Sequence, residues 1–115
     1  MLRGEIRLVD FSQALPGEST HHRPAVIVSN DGANSTAARL GRGAITVVPM
    51  TSNVSRVYPF QVLVPALESG LERDSKAQAE QIRSVSVERV RNALGSVPSP
   101  RMLDLDEALR LHLAL

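Results

Sequence analysis

The stretch RPAVIVSN, residues 23–30, holds an apolar run that Pro24 opens and a polar Ser-Asn pair closes. A continuous apolar run of strand length between turn residues is typical of a buried strand in the middle of a sheet. Arg23 stands directly before the run, so the strand would fix its backbone and leave its side chain free. The stretch therefore predicts a central strand over residues 24–29, and it leaves open whether Arg23 is a surface charge or a phosphate-binding group.

Further segments on both sides of this run have the composition of strands. Residues 5–10 alternate imperfectly between polar and apolar side chains, and residues 44–50 are rich in β-branched side chains. Residues 58–64 predict a strand with Pro59 near its start or on an edge, because proline cannot donate a ladder hydrogen bond. Residues 91–97 predict one more short strand. These segments favour a sheet of mostly antiparallel strands.

The segments between the predicted strands are mostly polar. Residues 12–22 predict an exposed loop, and residues 30–34 predict a turn with room for a short helical turn over residues 35–39. Residues 67–74 predict a charged loop around a glycine. Residues 75–85 stay ambiguous between helix and strand, because KAQAEQIR has helical propensity while its apolar residues change from period two to period three.

The C-terminal segment has the clearest helical pattern. Ser99 can cap the N-terminus of a helix, and Pro100 suits its first turn. The apolar positions that follow at helical spacing are predicted to face the core: Met102, Leu105, Leu109 and Leu113. These patterns together predict one domain over residues 1–115, mainly β, with a terminal helix.

Charge and composition restrict the classes of function. The chain has 13 Lys and Arg against 12 Asp and Glu, so any site for a polyanion must come from local clustering. All basic residues except Lys76 are arginines, which suit planar contacts with phosphate, although genome composition also explains such a bias. The absence of cysteine excludes disulfides and thiol catalysis. No segment approaches the roughly 18 apolar residues that span a bilayer, so we expect a soluble cytoplasmic protein without a membrane partner.

Histidine and serine patterns indicate no metal site or cofactor. His21 and His22 are adjacent, and neighbouring side chains of an extended segment point apart, which is poor geometry for chelation. His112 has no HExxH context, and the sequence has neither a GxSxG elbow nor a glycine-rich nucleotide loop. We therefore expect no metal and no cofactor.

Arg23 and a threonine form the constellation that remains. Thr51, Ser52 and Asn53 follow a predicted strand and offer hydroxyl and amide groups, and Glu18 could orient the guanidinium of Arg23 from the preceding loop. An arginine with hydroxyl donors can hold a phosphodiester and stabilise charge that builds on its oxygens. On these residues alone, a surface arginine and an ordinary turn remain the simpler explanation.

Several short blocks of residues, taken together and in their order along the chain, indicate a family resemblance. They are RGEI with VDF (residues 3–6 and 9–11), RPAVIVSN (23–30), VPMTSN (48–53), YPFQV (58–62), and ERDS with EQIRS (72–75 and 80–84). In this order they resemble the MazF/PemK-type toxins of bacterial toxin–antitoxin systems. The resemblance extends over most of the chain, whereas each block alone is weak.

The resemblance implies a fold, an activity and partners. The fold is a small, SH3-like, strongly twisted antiparallel β-barrel with a C-terminal helix, in which residues 80–83 lie on a strand. The activity is sequence-specific, metal-independent cleavage of single-stranded RNA, in which the ribose 2′-OH attacks the phosphate and leaves a 2′,3′-cyclic phosphate and a 5′-OH. The partners are a second copy in a homodimer and a MazE-like antitoxin whose acidic C-terminal segment covers the arginine-lined groove that binds the RNA.

The resemblance also implies roles for individual residues. Arg23 is the principal catalytic residue and acts by stabilising charge, because an arginine at its usual pKa is a poor proton shuttle. Thr51 holds the phosphate, and Glu18 occupies an acidic position before the arginine. The implied RNA-binding residues are Arg3, Ser52, Asn53, Arg56, Ser75 and Gln81. Histidine is a residue type suited to acid–base chemistry, so His21 and His22 are candidates, but the resemblance places the chemistry on Arg23 and Thr51.

Other functions stay open at this point. A CcdB-type toxin has the same fold but binds and poisons DNA gyrase without cutting nucleic acid, using the end of its C-terminal helix. Arg23 and Thr51 in their sequence contexts favour the nuclease. An RNA-binding module with inert catalytic residues is a further alternative.

Overall fold

The computed structural model of this chain describes residues 1–11 and 22–115. Paired strands make up most of its regular structure. The strands found in those residues are β1 Glu5–Asp10, β2 His22–Ile27, β3 Ala44–Thr51, β4 Gln61–Val64, β5 Ser75–Gln78, β6 Arg83–Ser86 and β7 Val90–Ser96. The helices are α1 Asp31–Leu40, α2 Ala66–Ser69 and α3 Ser99–Leu113, and short 3₁₀ turns cover Ala79–Gln81 and Val87–Arg89. None of these described helices is long and apolar enough to cross a membrane.

The described strands pair antiparallel, in the order β4-β5-β3-β2-β1-β7. β6 lies outside this path because β3 changes partner along its length. Residues 44–47 of β3 pair with β6, whereas Met50 and Thr51 pair with β5. Within the described part of the chain the sheet does not close between β4 and β7, so the predicted barrel is an open one. The predicted class, a mainly β fold of antiparallel strands with a C-terminal helix, is confirmed.

β2 is buried on both faces, as its apolar run predicts. Ala25, Val26 and Ile27 are all 0% exposed. Val26 packs in the core cluster that includes α3, whereas Ala25 and Ile27 pack in a second cluster that includes α1. The central buried strand is therefore confirmed, although it spans His22–Ile27 rather than residues 24–29. It starts earlier because β1 pairs with its first residues, and it ends earlier because the chain turns there into α1.

α1 is longer than the short helical turn predicted over residues 35–39. Asn30, predicted as part of a turn, instead caps the helix, because its side-chain oxygen accepts a backbone N–H of the first turn at 2.8 Å. The helix ends at Gly41, which adopts the left-handed conformation (φ 67°) that favours glycine. The side chain of buried Asn34 donates to the Ser29 carbonyl at 2.8 Å and so ties α1 to the segment that follows β2.

β4 is shorter than the strand predicted over residues 58–64. It begins at Gln61, whose backbone N–H donates to the Tyr58 carbonyl at 2.8 Å. The Gln61 side chain also accepts the Tyr58 N–H at 3.2 Å. These two bonds close a turn, so residues 58–60 stay outside the ladder. Tyr58 stacks there on Phe60, with ring centroids 5.4 Å apart.

The segment that pattern alone left ambiguous contains two strands with a break between them. β5 and β6 are strands, as the resemblance implies, but the 3₁₀ turn Ala79–Gln81 separates them. The placement of residues 80–83 on one strand is therefore wrong for Glu80, Gln81 and Ile82, and only Arg83 lies on a strand. The break coincides with the point at which β3 changes partner from β5 to β6. α2 is a further difference, because it occupies the start of the loop predicted over residues 67–74.

α3 packs on the sheet through most of the apolar positions that predicted it. The buried positions are Met102, Leu105 and Leu109. Leu113 is 45% exposed, so its predicted burial is wrong, and the last turn of α3 extends past the buried face. Pro98 precedes the helix, so Ser99 is its first helical residue rather than its cap. Pro100 lies in the first turn, as predicted.

β7 and the end of α2 approach each other closely at Gly95. A Cβ atom added to Gly95 would lie 2.2 Å from the Ser69 carbonyl oxygen, which is far inside van der Waals contact. Gly70 follows α2 with a φ of 84° and lies against the Gly95 Cα. The missing side chain at Gly95 therefore allows the end of α2 to rest on β7.

Gly95→Ala is expected to lower the free energy of unfolding by about 3 kcal/mol, because the backbone of α2 must move away. Urea or thermal unfolding measures this loss. Gly41→Ala is the matched control, since its new Cβ meets open space and adds only about 1 kcal/mol of left-handed strain. Equal losses in the two variants would contradict the close approach.

Candidate functional site

Arg23 is held in place by acceptors on two neighbouring strands. It lies on β2, and its half-buried side chain reaches toward β3 and β5. The Arg23 Nη2 donates to the Met50 carbonyl at 3.0 Å and to the Gln78 Oε1 at 2.7 Å. The expectation that this side chain stays free is therefore wrong. The guanidinium is fixed beside the end of β3, where Thr51 follows Met50.

Thr51 is the last residue of β3 and begins a hydrogen-bonded turn. Its Oγ1 accepts the Asn53 N–H at 3.2 Å. The Asn53 side chain in turn accepts the N–H and the hydroxyl of Ser55, at 3.3 and 2.8 Å. A threonine hydroxyl also carries a donor hydrogen, which these bonds do not use. The predicted group of three residues thus forms a turn in which Ser52 and Asn53 are exposed.

Lys76 is a part of this site that sequence reasoning missed. It pairs with Thr51 across the β3–β5 ladder and is only 8% exposed. Its Nζ donates to the Arg56 carbonyl at 2.7 Å and lies 6.0 Å from the centre of the Tyr58 ring. A buried ammonium bonded to this carbonyl anchors the connection between β3 and β4. The feature of the sequence that could have drawn attention to it is that Lys76 is the only lysine of the chain and stands between two small residues, a serine and an alanine.

Lys76 and Gln78 extend from the same face of β5. Side chains alternate along a strand, so Ala77 between them points the other way, into the core. Thr51 lies opposite Lys76 in the ladder, and Arg23 bonds Gln78. These four polar side chains, Arg23, Thr51, Lys76 and Gln78, form a strip across three strands that we name the Arg23 strip. Its charged members are both cations, so the strip suits an anionic ligand.

A cleft of about 500 Å³ opens beside the Arg23 strip. Its lining comes from several segments and includes Thr51, Ser52, Leu71, Arg73, Ser75 and Leu94. Thr51 belongs to both the strip and the cleft, whereas Arg23 does not line the cleft. Pro24 does line it, because successive side chains of β2 point to opposite faces. The cleft and the guanidinium therefore approach Thr51 from different sides.

Three other predicted residues lie around the site. Ser75 lines the cleft and is buried, and its hydroxyl donates to the Arg73 carbonyl at 3.2 Å. Arg56 is exposed on the β3–β4 connection, where its guanidinium donates to the Tyr58 hydroxyl at 3.4 Å. Gln81 is exposed on the 3₁₀ turn between β5 and β6.

Arg3 is engaged away from the site. Its Nε donates to the Val28 carbonyl at 2.9 Å, and its Nη2 forms an ion pair with Asp106 on α3. Arg3 does not line the cleft beside Thr51. The structure therefore uses Arg3 to join the N-terminal segment to α3, at a distance from the cleft beside Thr51.

Glu18 and His21 lie outside the described residues. His22 is the exposed first residue of β2 and pairs with Asp10 of β1. Across residues 1–11 and 22–115, no group of three or more His, Asp or Glu side chains is placed to hold a metal ion.

The Glu5 and Arg101 side chains, both outside the Arg23 strip, have shifted pKa values. Burial acts to raise the pKa of the Glu5 carboxyl, but the Leu2 N–H and the Arg7 guanidinium outweigh burial and hold that pKa below its ordinary value. A hydrogen bond from Arg101 to Glu68 raises the pKa of the Arg101 guanidinium. The Arg101–Glu68 pair joins α3 to α2, whereas the contacts of Glu5 stay within the N-terminal segment, and neither belongs to the site.

Comparisons with known proteins place the chain in a family. A family model described as "PemK-like, MazF-like toxin of type II toxin-antitoxin system" matches residues 2–113. Endoribonuclease MazF9 of Mycobacterium tuberculosis is 58% identical over 115 residues, which are 100% of this chain and 98% of that protein. Endoribonuclease EndoA of Bacillus subtilis is 32% identical over 114 residues, which cover 98% of this chain and 94% of that protein.

Solved structures share the fold. An endoribonuclease in complex with its cognate antitoxin from a mycobacterial species has a TM-score of 0.77 at 23% identity, covering 100% of this chain and 96% of that chain. A MazE-MazF complex from Deinococcus radiodurans has a TM-score of 0.76 at 23% identity, covering 100% of this chain and 97% of that chain. At this identity the structures confirm the fold alone, whereas the family model and the 58% identity confirm the resemblance. The chain therefore belongs to the PemK-like, MazF-like toxins of type II toxin–antitoxin systems.

Proposed function

We propose that this chain is the endoribonuclease toxin of a type II toxin–antitoxin pair, acting in the cytoplasm as one domain over residues 1–115. Its substrate is single-stranded RNA, which it cleaves at a short sequence without a metal ion or cofactor. The observation that carries the proposal is the Arg23 guanidinium held at the end of β3, next to Thr51. The names of the relatives at 58% and 32% identity, both endoribonucleases, support the same activity.

The proposed reaction transfers the scissile phosphate within the RNA. The ribose 2′-OH attacks phosphorus, a 2′-O–P bond forms, and the bond from phosphorus to the 5′-oxygen breaks. The 2′-OH loses a proton and the 5′-oxygen gains one, so the products are a 2′,3′-cyclic phosphate and a 5′-OH. Negative charge builds on the phosphoryl oxygens during the attack. Fixed donors that face those oxygens therefore lower the barrier.

Arg23 is the main stabiliser of that charge in this proposal. Its Nη2 is committed to Met50 and Gln78, and its Nε and Nη1 hydrogens are the donors assigned to the phosphate. Thr51 adds a hydroxyl donor from the end of the neighbouring strand. Glu18, from the family pattern alone, is assigned to orient the guanidinium.

The connection between β3 and β4 is the proposed RNA-binding surface. Ser52, Asn53 and Arg56 are exposed on it, and Lys76 anchors it from β5. Single-stranded RNA presents unstacked bases together with a phosphate backbone, so exposed amide, hydroxyl and guanidinium groups can bind both. The surface therefore combines groups suited to base edges with a cation suited to phosphate.

The remaining predicted RNA-binding residues differ in how accessible their side chains are to RNA. Gln81 is exposed and needs no rearrangement, and Ser75 meets the RNA only where a base enters the cleft. Arg3 must first leave Asp106 before it can bind RNA. We therefore rank Arg3 last among the proposed RNA-binding residues.

A second copy of the chain and an antitoxin are the proposed partners. Proteins of similar fold include an endoribonuclease in complex with its cognate antitoxin and a MazE-MazF complex. An acidic segment of a MazE-like antitoxin suits the Arg23 strip, because its carboxylates can occupy the positions of RNA phosphates next to the two cations. Such a segment would prevent RNA from binding and would at the same time neutralise the positive charge of the Arg23 strip.

Cleavage in excess EDTA is the first expected result. The purified protein should cut a mixed-sequence single-stranded RNA and leave its 2′-O-methyl counterpart intact, because methylation removes the nucleophile. Gel electrophoresis with end-group analysis identifies the cyclic phosphate. Intact RNA in both samples, with DNA gyrase inhibited instead, would support the CcdB-like alternative. Cleavage that stops on addition of EDTA would refute the metal-free reaction.

Arg23→Ala should lower kcat/KM by about 10²- to 10³-fold, because it removes a fixed donor to the phosphate. Thr51→Val keeps the shape of the side chain but loses its hydroxyl, so it should cause a smaller loss. Arg39→Ala, which removes an exposed arginine of α1, is the matched control. Steady-state cleavage of a short fluorescent RNA measures all three. Full activity of Arg23→Ala would exclude this guanidinium from the reaction.

Lys76→Met should release the β3–β4 connection, because it keeps the aliphatic stem but removes the donor to the Arg56 carbonyl. Amide hydrogen exchange in residues 52–60 is expected to accelerate by about tenfold, which corresponds to the loss of one charged hydrogen bond. Arg42→Met, at an exposed position after α1, controls for the change in charge. Unchanged exchange in residues 52–60 would show that Lys76 does not anchor the connection.

A further inference from the structure

Gln78 is the one side chain that bonds the Arg23 guanidinium among the contacts described. Its Oε1 accepts from Nη2 at 2.7 Å, and the Met50 carbonyl accepts from the same nitrogen at 3.0 Å. Nη2 carries two hydrogens, so each acceptor can take one. The two contacts fix the plane of the guanidinium and leave its Nε and Nη1 hydrogens for another ligand.

The two acceptors are themselves positioned by one ladder of the sheet. Met50 pairs with Ala77, and Gln78 is the next residue along β5. Gln78 also pairs with Gln61 on the other side, so β5 is held between β3 and β4 at this point. Groups mounted on paired strands keep their geometry better than groups on loops. The orientation of Arg23 is therefore set by the sheet before any ligand binds.

The chemical type of the acceptor matters for the charge of Arg23. A carboxylate at this position would also accept the Nη2 hydrogen, but it would cancel much of the positive charge that a phosphate needs. An amide oxygen and a backbone carbonyl hold the guanidinium without neutralising it. The arrangement thus combines a fixed orientation with a retained charge.

We propose that Gln78 is a positioning residue, which orients the Arg23 guanidinium toward the scissile phosphate while preserving its charge. This inference rests on the proposed ribonuclease function. Gln78 does not itself contact the reacting atoms in this scheme. It acts through Arg23, and its removal allows the guanidinium to sample orientations that do not face the phosphate.

Steady-state kinetics of two variants separate orientation from charge. Gln78→Leu removes the acceptor, so kcat should fall about 10- to 100-fold while KM stays within about twofold of the wild-type value. Gln78→Glu keeps an acceptor of the same shape but adds a negative charge, so its main effect should be a higher KM. Asn92→Leu, which changes an exposed amide of β7, is the matched control. If the leucine variant fails to fold, Gln78→Asn replaces it, because the shorter side chain withdraws the same acceptor.

Arginine side-chain NMR gives a readout that does not depend on RNA. In the wild-type protein the Arg23 Nη nitrogens should give separate signals, because the two bonds to Nη2 slow the rotation about the Nε–Cζ bond that exchanges Nη1 with Nη2. Gln78→Leu or Gln78→Asn should average them, and Gln78→Glu should not. RNA left intact by the wild-type protein would refute the proposed function. The NMR comparison would still show whether Gln78 orients Arg23, because it is made without RNA. RNA cleaved with an unchanged kcat by the acceptor-free variant, or Arg23 signals that stay separate in it, would overturn the role of Gln78.

Discussion

The burial of β2 on both faces is the constraint on which the rest of the structure depends. β2 lies between β1 and β3, and its successive apolar side chains fill two separate core clusters. A slip by one residue would exchange the side chains that face α1 with those that face α3, so the register is strongly specified. Arg23 is mounted on this strand. Its distances to Met50 and Gln78 therefore follow from core packing rather than from local flexibility.

The site combines groups of two kinds, which differ in how they are held. The Arg23 strip consists of side chains on paired strands, where a fixed geometry favours stabilisation of developing charge. The exposed residues of the β3–β4 connection belong to a segment that lacks ladder partners. Lys76 joins the two, because it sits opposite Thr51 and bonds the Arg56 carbonyl. The proposed chemistry and the proposed RNA recognition thus lie on adjacent parts of the chain, one held by strand pairing and the other outside the ladders.

Sequence reasoning succeeded where a single strong pattern determines the element. The apolar run of β2 and the spacing of the buried positions in α3 are patterns of this kind. It failed where side chains bond the backbone or another segment, as when Asn30 caps α1 or Gln61 closes the turn before β4. The partner of Arg3 is 103 residues away, so no local pattern could reveal that pair.

The residues of the candidate site can be divided in the same way, into those that the sequence indicates and those that only the strand pairing reveals. Arg23 and Thr51 could be proposed because their sequence contexts match a family, and the structure places the Arg23 guanidinium beside the end of β3, where Thr51 lies. Gln78 and Lys76 were missed, because their importance comes from cross-strand neighbours that neither composition nor periodicity encodes.

β3 changes its partner from β6 to β5 along its length. Pro49, which cannot donate a ladder hydrogen bond, lies between the section paired with β6 and the section paired with β5. β3 thus has two separately paired sections, and only the section paired with β5 carries a residue of the Arg23 strip, Thr51.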